Sequence, residues 1–227
     1  FWVAQKQEPW GRCEYDYAGG LKNRPVEVVK GEFTDLPIPA FAEIVLEGEV
    51  MPPEVDSADE GPFGEWPGYY ASNIRPEAVF KVKAIMHRND PIILGCPPLM
   101  NYRASYGGNV RSAAILWDEI EQTVPGITGV WCLEEARHCY MPVISIKQMY
   151  PGHAKQVAMA VVSSRVANYH GRYAIVVDDD IDPFNTAEVL WALATRCDPE
   201  TQIDILRGCW STPLDPTIPP EKRKQGD

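Results

Sequence analysis

Several things are scarce or missing in this 227-residue sequence, and each removes a class of protein. No apolar run approaches the ~20 residues that a membrane-spanning helix needs. Positive charge is short: 21 Lys and Arg stand against 32 Asp and Glu, a net of −11. A chain of that sign offers phosphates no basic face, so nucleic acid is not an expected partner. The cysteines, at positions 13, 96, 132, 139, 197 and 209, include no CxxC pair. A chain this long needs no disulfide staples, so the expectation is reduced thiols in a cytoplasmic protein. Cys132, His138 and Cys139 lie close together, but the CxxC hook and the fourth ligand of a structural zinc site are missing. There is no internal repeat and no signal peptide. The first residue is Phe1 rather than Met, and the chain is expected to start inside a longer protein.

What is present is ordinary for a globular chain: 45% hydrophobic and 23% charged residues, enough for one large domain or two modest ones. The first hundred residues read as strands and loops. Val26–Phe33 and Ala42–Val50 are β-rich, with a turn at Pro37 and Pro39 between them. A Pro- and acid-rich loop is expected from Met51 to Pro67. Ala78–His87 alternates as a half-buried strand, and Pro91–Gly95 is a short apolar one. Cys96–Gly108 is a second long loop, of a length that is usually functional or disordered. The grammar then changes. Ser112–Val124 and His153–Tyr169 have helical spacing. Gly129–Leu133, Met141–Met149, Tyr173–Val177 and Ile203–Leu206 read as strands. Asn185 opens a further helix, with Glu188 three residues on in a capping-box pattern. The tail Pro213–Asp227, polar and proline-rich, reads as an arm or a disordered end. The expected fold class is α+β: a β-rich part over residues 1–108 and an α/β part over 109–227.

The stretch EGPFGEWPGYY, residues 60–70, sets Glu60 and Glu65 among glycines, prolines and rings. Those neighbours suit a shaped, partly dry pocket, in which paired carboxylates do acid–base work. The plainer alternative is two solvated loop glutamates. Glu14, in RCEYDYAGG, is a candidate ligand for a hard cation, or else a strand or loop acid. Asp178, Asp179 and Asp180 suggest a metal too, but acids before a helix N-terminus are equally favoured by its dipole. His153 could meet a phosphate; a packed histidine explains it as well.

Five stretches resemble one family, the UbiD-type decarboxylases that use prenylated FMN. They are EYDYAGGL (14–21), VVKGEFTDLPIPAFAEIVLEGEV (28–50), EGPFGEWPGYY (60–70), ISIKQMYPGHAKQV (144–157) and IVVDDDIDPFNTAEVLWALATRCDP (175–199). The resemblance implies a flavin-binding split β-barrel portion followed by an α/β C-terminal domain. It implies prenylated FMN and Mn2+ as cofactors, with K+ a further candidate. Glu14 matches the glutamate that ligates the metal at the cofactor phosphate. Glu60 matches the acid that pairs with an arginine beside the substrate carboxylate, and Glu65 the proton donor. Trp66, Tyr69 and Tyr70 would line the substrate pocket, and Arg172 would take the place of a lysine that meets the cofactor phosphate.

The family's catalytic arginine, and the asparagine and histidine that complete its metal site, lie upstream of the EYxxAG motif. WVAQKQEPWGR holds no such Asn or His, and Arg12 is too close to Glu14 to match the arginine. The resemblance therefore implies the C-terminal half of a family member. Its expected partners are a small aromatic or conjugated acid, the upstream half of the same enzyme and further copies of itself. The expected reaction is reversible, non-oxidative decarboxylation. Two alternatives stay open: a non-catalytic scaffold or partner subunit of a decarboxylase complex, and a split-barrel flavin reductase.

Overall fold

The structure is a computed structural model. It describes residues 10–65, 67–70, 73–95, 106–136, 140–168, 171–209, 211–212, 214–219 and 222, without the side chains of 106–108 and 168. The mixed α/β chain forms two compact units, residues 1–60 with 75–95 and residues 61–74 with 96–227.

The first unit opens on a helix, α1 (Glu14–Lys22), where strands and loops were expected. Glu14 and Asp16 in its first turn and Lys22 in its last oppose the helix dipole. Asn23 then takes the left-handed conformation, and its N–H closes back on the Gly19 and Gly20 carbonyls. A hairpin follows, of β1 (Val28–Lys30) and β2 (Pro37–Pro39). The expected proline turn is thus itself a strand. Gly31 N–H donates to Leu36 and Ala40 N–H to Glu27, on either side of the Val29–Ile38 pair. Pro37 and Pro39 fall at the alternate positions, where an antiparallel ladder asks for no N–H.

β3 (Ile44–Val50) pairs with β6 (Phe80–His87), with a bulge between Glu47 and Gly48. β4 (Ser57–Glu60) pairs with β5 (Arg75–Ala78), so the expected 51–67 loop carries a strand. Pro91–Gly95 forms none and is exposed. Little apolar surface is buried in this unit; Ile38 is its one buried hydrophobic among the described residues. Ile44, Leu46 and Val50 share a face with Phe80, Val82 and Ile85, and that face is open. Ala78–His87 is therefore more exposed than its alternation suggested.

A carboxylate does what the core does not. Glu47, only 5% exposed, accepts N–H bonds from Glu32 (2.7 Å), Phe33 (3.2 Å) and Thr34 (3.0 Å), and the Thr34 hydroxyl at 2.5 Å. The turn between β1 and β2 is wrapped around it. Gly31 is obligatory, because a Cβ there would run into the Glu47 carboxylate.

The second unit has a three-stranded sheet in the order β7 (Ile127–Cys132), β8 (Pro142–Ile146), β9 (Ile175–Asp178). β7 and β8 are antiparallel; β8 and β9 are parallel. All five residues of β8 are buried. Ile144 and Ile146 pack with Leu116 and Ile120 of α2 (Tyr106–Glu121) and Val157 and Val161 of α3 (His153–Ser163). Val143 belongs to a second cluster with Ile181 and with Val189 and Ala192 of α5 (Thr186–Arg196). Helices thus cover both faces, as a parallel pair requires.

Local chemistry sets the element ends. Asn185 caps α5 by accepting the Glu188 N–H, as its spacing predicted. The helix expected over 153–169 breaks at Ser164, which is extended. Its hydroxyl donates to the Val161 carbonyl (2.7 Å) and accepts the Ala167 N–H (3.1 Å), ending α3 and opening the short α4 (Arg165–Asn168). Ile203–Leu206 forms no strand. His153 is fully buried; its Nε2 donates to the Pro125 carbonyl (2.8 Å) and its Nδ1 accepts the Met149 N–H (3.2 Å). It is the packed histidine. Of the described helices, none is long and apolar enough to cross a membrane.

The Glu47 carboxyl is held below the usual glutamate range by the Thr34 hydroxyl, against a cost of burial, with the N–H groups of Thr34, Phe33 and Glu32 adding to it. A lowered folded value means stability that is present above the ordinary glutamate range and lost as pH falls through the folded value. Glu47→Gln keeps the size and removes the charge. Its urea midpoint at pH 7 is expected below that of the parent, with a flatter loss of stability between pH 5 and 3. Parallel acid limbs for parent and variant would contradict this account.

Candidate active site

Glu14 lies in the first turn of α1, exposed. Beside it Arg12, Cys13, Asp16, Tyr17, Gly20 and Leu21 line an open hollow. The carboxylate is accessible to a cation. Among the described residues, though, no group of three or more His, Cys, Asp or Glu side chains could hold a metal. The chemistry of this donor set fits one ligand of a metal site.

Glu60 ends β4 in the first unit, exposed and directly opposite Arg75 on β5. The register sets an arginine across from the acid, but the Arg75 Nε pairs with Glu77 instead. Glu65 belongs to the second unit and is half-buried. Its loop is tied by backbone: Glu65 N–H donates to Tyr69 (3.0 Å), Gly68 N–H returns to Glu65 (2.8 Å), and Gly64 bridges Tyr70. Gly68 has φ +92, a conformation that glycine adopts without strain. Pro67 is buried, while Phe63 (44%), Tyr69 (57%) and Tyr70 (71%) are exposed. Among the described residues, Phe63, Tyr69 and Tyr70 do not enclose the loop, contrary to the partly dry pocket expected from composition. Trp66 lies outside the described residues, as do most of the Cys96–Gly108 loop and His138 and Cys139; Cys132 is buried.

Asp178 and Asp180 are ion-paired rather than gathered on a metal. Arg196 reaches both Asp180 oxygens at 2.8 Å and Asp178 at 3.7 Å, and lies over the Trp191 ring. The Arg196 bond holds the Asp180 carboxyl below its usual range.

Arg172 sits just ahead of β9. Its Nη2 ion-pairs with Asp215 Oδ2 and donates to Thr217 Oγ1 (2.9 Å), and its guanidinium lies 5.9 Å from the Tyr140 ring centre. Asp215 also accepts the Thr217 N–H and hydroxyl and the Ser211 hydroxyl, each at 2.8 Å. Burial pushes its carboxyl up, but those bonds and the Arg172 charge outweigh it and hold it below the usual range. Thr212 and Ile218 are buried alongside. Residues 211, 212 and 214–219 therefore pack within the second unit, where a polar arm or a disordered end was expected. Nothing in the spacing of Arg172 and Asp215 signalled this pairing.

Residues 105–226 match the family model of the 3-octaprenyl-4-hydroxybenzoate carboxy-lyase C-terminal domain, and residues 1–100 that of the Rift-related domain of the same enzyme. The chain belongs to the UbiD family. Among UbiD relatives, the phenolic acid decarboxylase of Sedimentibacter hydroxybenzoicus is 36% identical over 217 residues, which cover 93% of this chain and 44% of the relative. The UbiD-class enzyme HmfF from Pelotomaculum thermopropionicum, solved in complex with FMN, superposes with a TM-score of 0.83 at 33% identity over 95% of this chain and 47% of that one. An evolved dimeric form of the same enzyme, in complex with prenylated FMN, gives 0.79 at 34% identity, over 91% and 46%. The chain spans about half the length of the curated relatives it matches.

Proposed function

We propose that this chain supplies part of the active site of a prenylated-FMN-dependent decarboxylase for an aromatic or α,β-unsaturated acid. The observation that carries the reading is the pair of UbiD family models over residues 1–100 and 105–226, the first of which spans the EGPFGE stretch. The phenolic acid decarboxylase relative favours an aromatic substrate. In this reading the β-rich first part is the flavin-binding split-barrel portion, within 1–108, and 109–227 is the α/β domain.

Loss of CO2 from such an acid leaves an electron pair that side chains stabilise poorly, and the prenylated flavin, when bound, supplies that sink. This chain's residues do the rest. Glu60 pairs with an arginine of the upstream half and orients the substrate carboxylate. The C–CO2 bond breaks, and Glu65 delivers the proton that forms the new C–H bond. Glu14 would contribute one carboxylate to a Mn2+ that anchors the cofactor phosphate, and K+ is a further candidate ion. Arg172 meets the phosphate through N–H groups other than those on Asp215. Trp66, Tyr69 and Tyr70 shape the substrate side. CO2 addition would use the same groups in reverse. The open apolar face of β3 and β6 is the surface an upstream half would cover, and exposed Leu190 and Trp191 on α5 suit contact between copies.

One observation favours a second reading, a non-catalytic partner subunit: Glu60 is exposed and has no ion pair among the described residues. Co-expression of the chain with an upstream half carrying the arginine, asparagine and histidine, and with a prenyl-flavin synthase, separates the two. The catalytic reading expects a flavin-like absorbance band, bound manganese and CO2 release from a phenolic acid; a colourless, metal-free protein would leave only the scaffold.

In that preparation Glu65→Gln is expected to lower turnover by ~10²–10⁴-fold, the usual worth of acid–base catalysis, with the flavin band intact. Near-parental turnover under saturating cofactor would remove Glu65 from its role. Glu14→Ala is expected to lose manganese and flavin together, because the metal screens the phosphate from the carboxylate. Full metal occupancy by elemental analysis would rule that out.

A further inference from the structure

Arg172 is the one site residue whose guanidinium is already held by the protein. Both bonds fall on Nη2: the Asp215 carboxylate and the Thr217 hydroxyl. Tyr140 lies near the guanidinium, and its carbonyl accepts the backbone N–H groups of Arg172 and Tyr173 at 3.0 Å each. Among the described residues no hydrogen bond or ion pair engages Nε or Nη1, and the side chain remains 32% exposed. Asp215 is the opposite: its side chain is 4% exposed, and every bond to it comes from residues 211–217 or from Arg172. One terminal nitrogen of the guanidinium is therefore held, while the side chain keeps part of its surface in solvent.

Such an arrangement does more than anchor a tail. An arginine free in solution gives up considerable rotamer freedom when it binds an anion. A guanidinium fixed on one side by a buried carboxylate has lost that freedom before the ligand arrives. Its planar donors then present themselves in a set direction.

We propose that Asp215 is a positioning residue: through Nη2 it orients Arg172 so that Nη1, the terminal nitrogen left over, donates to the phosphate monoester of a flavin nucleotide. The proposal rests on the reading of Arg172 as a phosphate ligand. By reciprocity, the bound phosphate also holds residues 211–219 in place through the same arginine.

The test uses the longest form of the protein its gene encodes, titrated with FMN and with riboflavin, which lacks the phosphate. The parent protein should bind FMN more tightly than riboflavin. Asp215→Asn should weaken FMN binding about tenfold, the usual cost of losing a group that orients a ligand-binding side chain, and leave riboflavin binding unchanged. A general loss of structure would weaken both, which makes the ratio the deciding quantity. Thr217→Val, which removes one hydroxyl and no charge, should shift the ratio in the same direction and serves if Asp215→Asn does not fold. In the parent, hydrogen exchange over 211–218 should slow with saturating FMN and not with riboflavin. If Arg172→Leu collapses the FMN preference while Asp215→Asn and Thr217→Val leave it intact or raise it, Asp215 is only a tail anchor and the proposal is wrong. If Arg172→Leu leaves the FMN preference untouched, or the parent shows none, the phosphate reading of Arg172 fails and the proposal falls with it.

Discussion

The first unit depends on a buried charge. Little apolar surface is available to hold its short hairpins together. The Glu47 carboxylate gathers the N–H groups of three successive residues and one hydroxyl, and so fixes the β1–β2 turn against β3. A carboxylate out of water is costly unless each lone pair is met, and here four donors meet it. The bulge beside it at Gly48 and the bare Cα of Gly31 give the anion its room. What is specific about this unit lies in backbone donors aimed at one point.

The second unit is built on the opposite rule. β8 is buried end to end and separates two apolar clusters, one under α2 and α3 and one under α5. Such a strand shows in sequence as a nearly continuous apolar run, and PVISI does, interrupted only by Ser145. The α5 start was readable for the same reason, since Asn185 and Glu188 act within one turn of each other. Reading failed where a residue's role is decided by a choice between local partners. Ser164 could have sat quietly in a helix; its hydroxyl instead ends one and starts another. Pro37 and Pro39 look like turn residues until the register shows that the ladder needs none of their missing donors.

The candidate site divides along the same line. Its motifs are contiguous in sequence and could be picked out as such. The partners of its charges are not. Arg75 is set opposite Glu60 by strand register, yet it goes to Glu77 on its own strand. Arg172 finds its carboxylate in a segment that composition marked as a loose tail. Tertiary pairing of this kind leaves no period or spacing to read.

His153 carries a consequence of a different sort. Its ring joins the Pro125 carbonyl to the Met149 amide, and one of these can only accept while the other can only donate. Turned over, the imidazole would fit neither. The ring works as a keyed connector, mating the segment that leaves α2 with the one that enters α3 in a single sense. Gly126, at φ +81, is the slot for the key: a Cβ there would come within 3.1 Å of the ring's Cε1. A side chain at position 126 would thus press on the ring and on the Lys147 carbonyl at once, and loosen the join between the two segments.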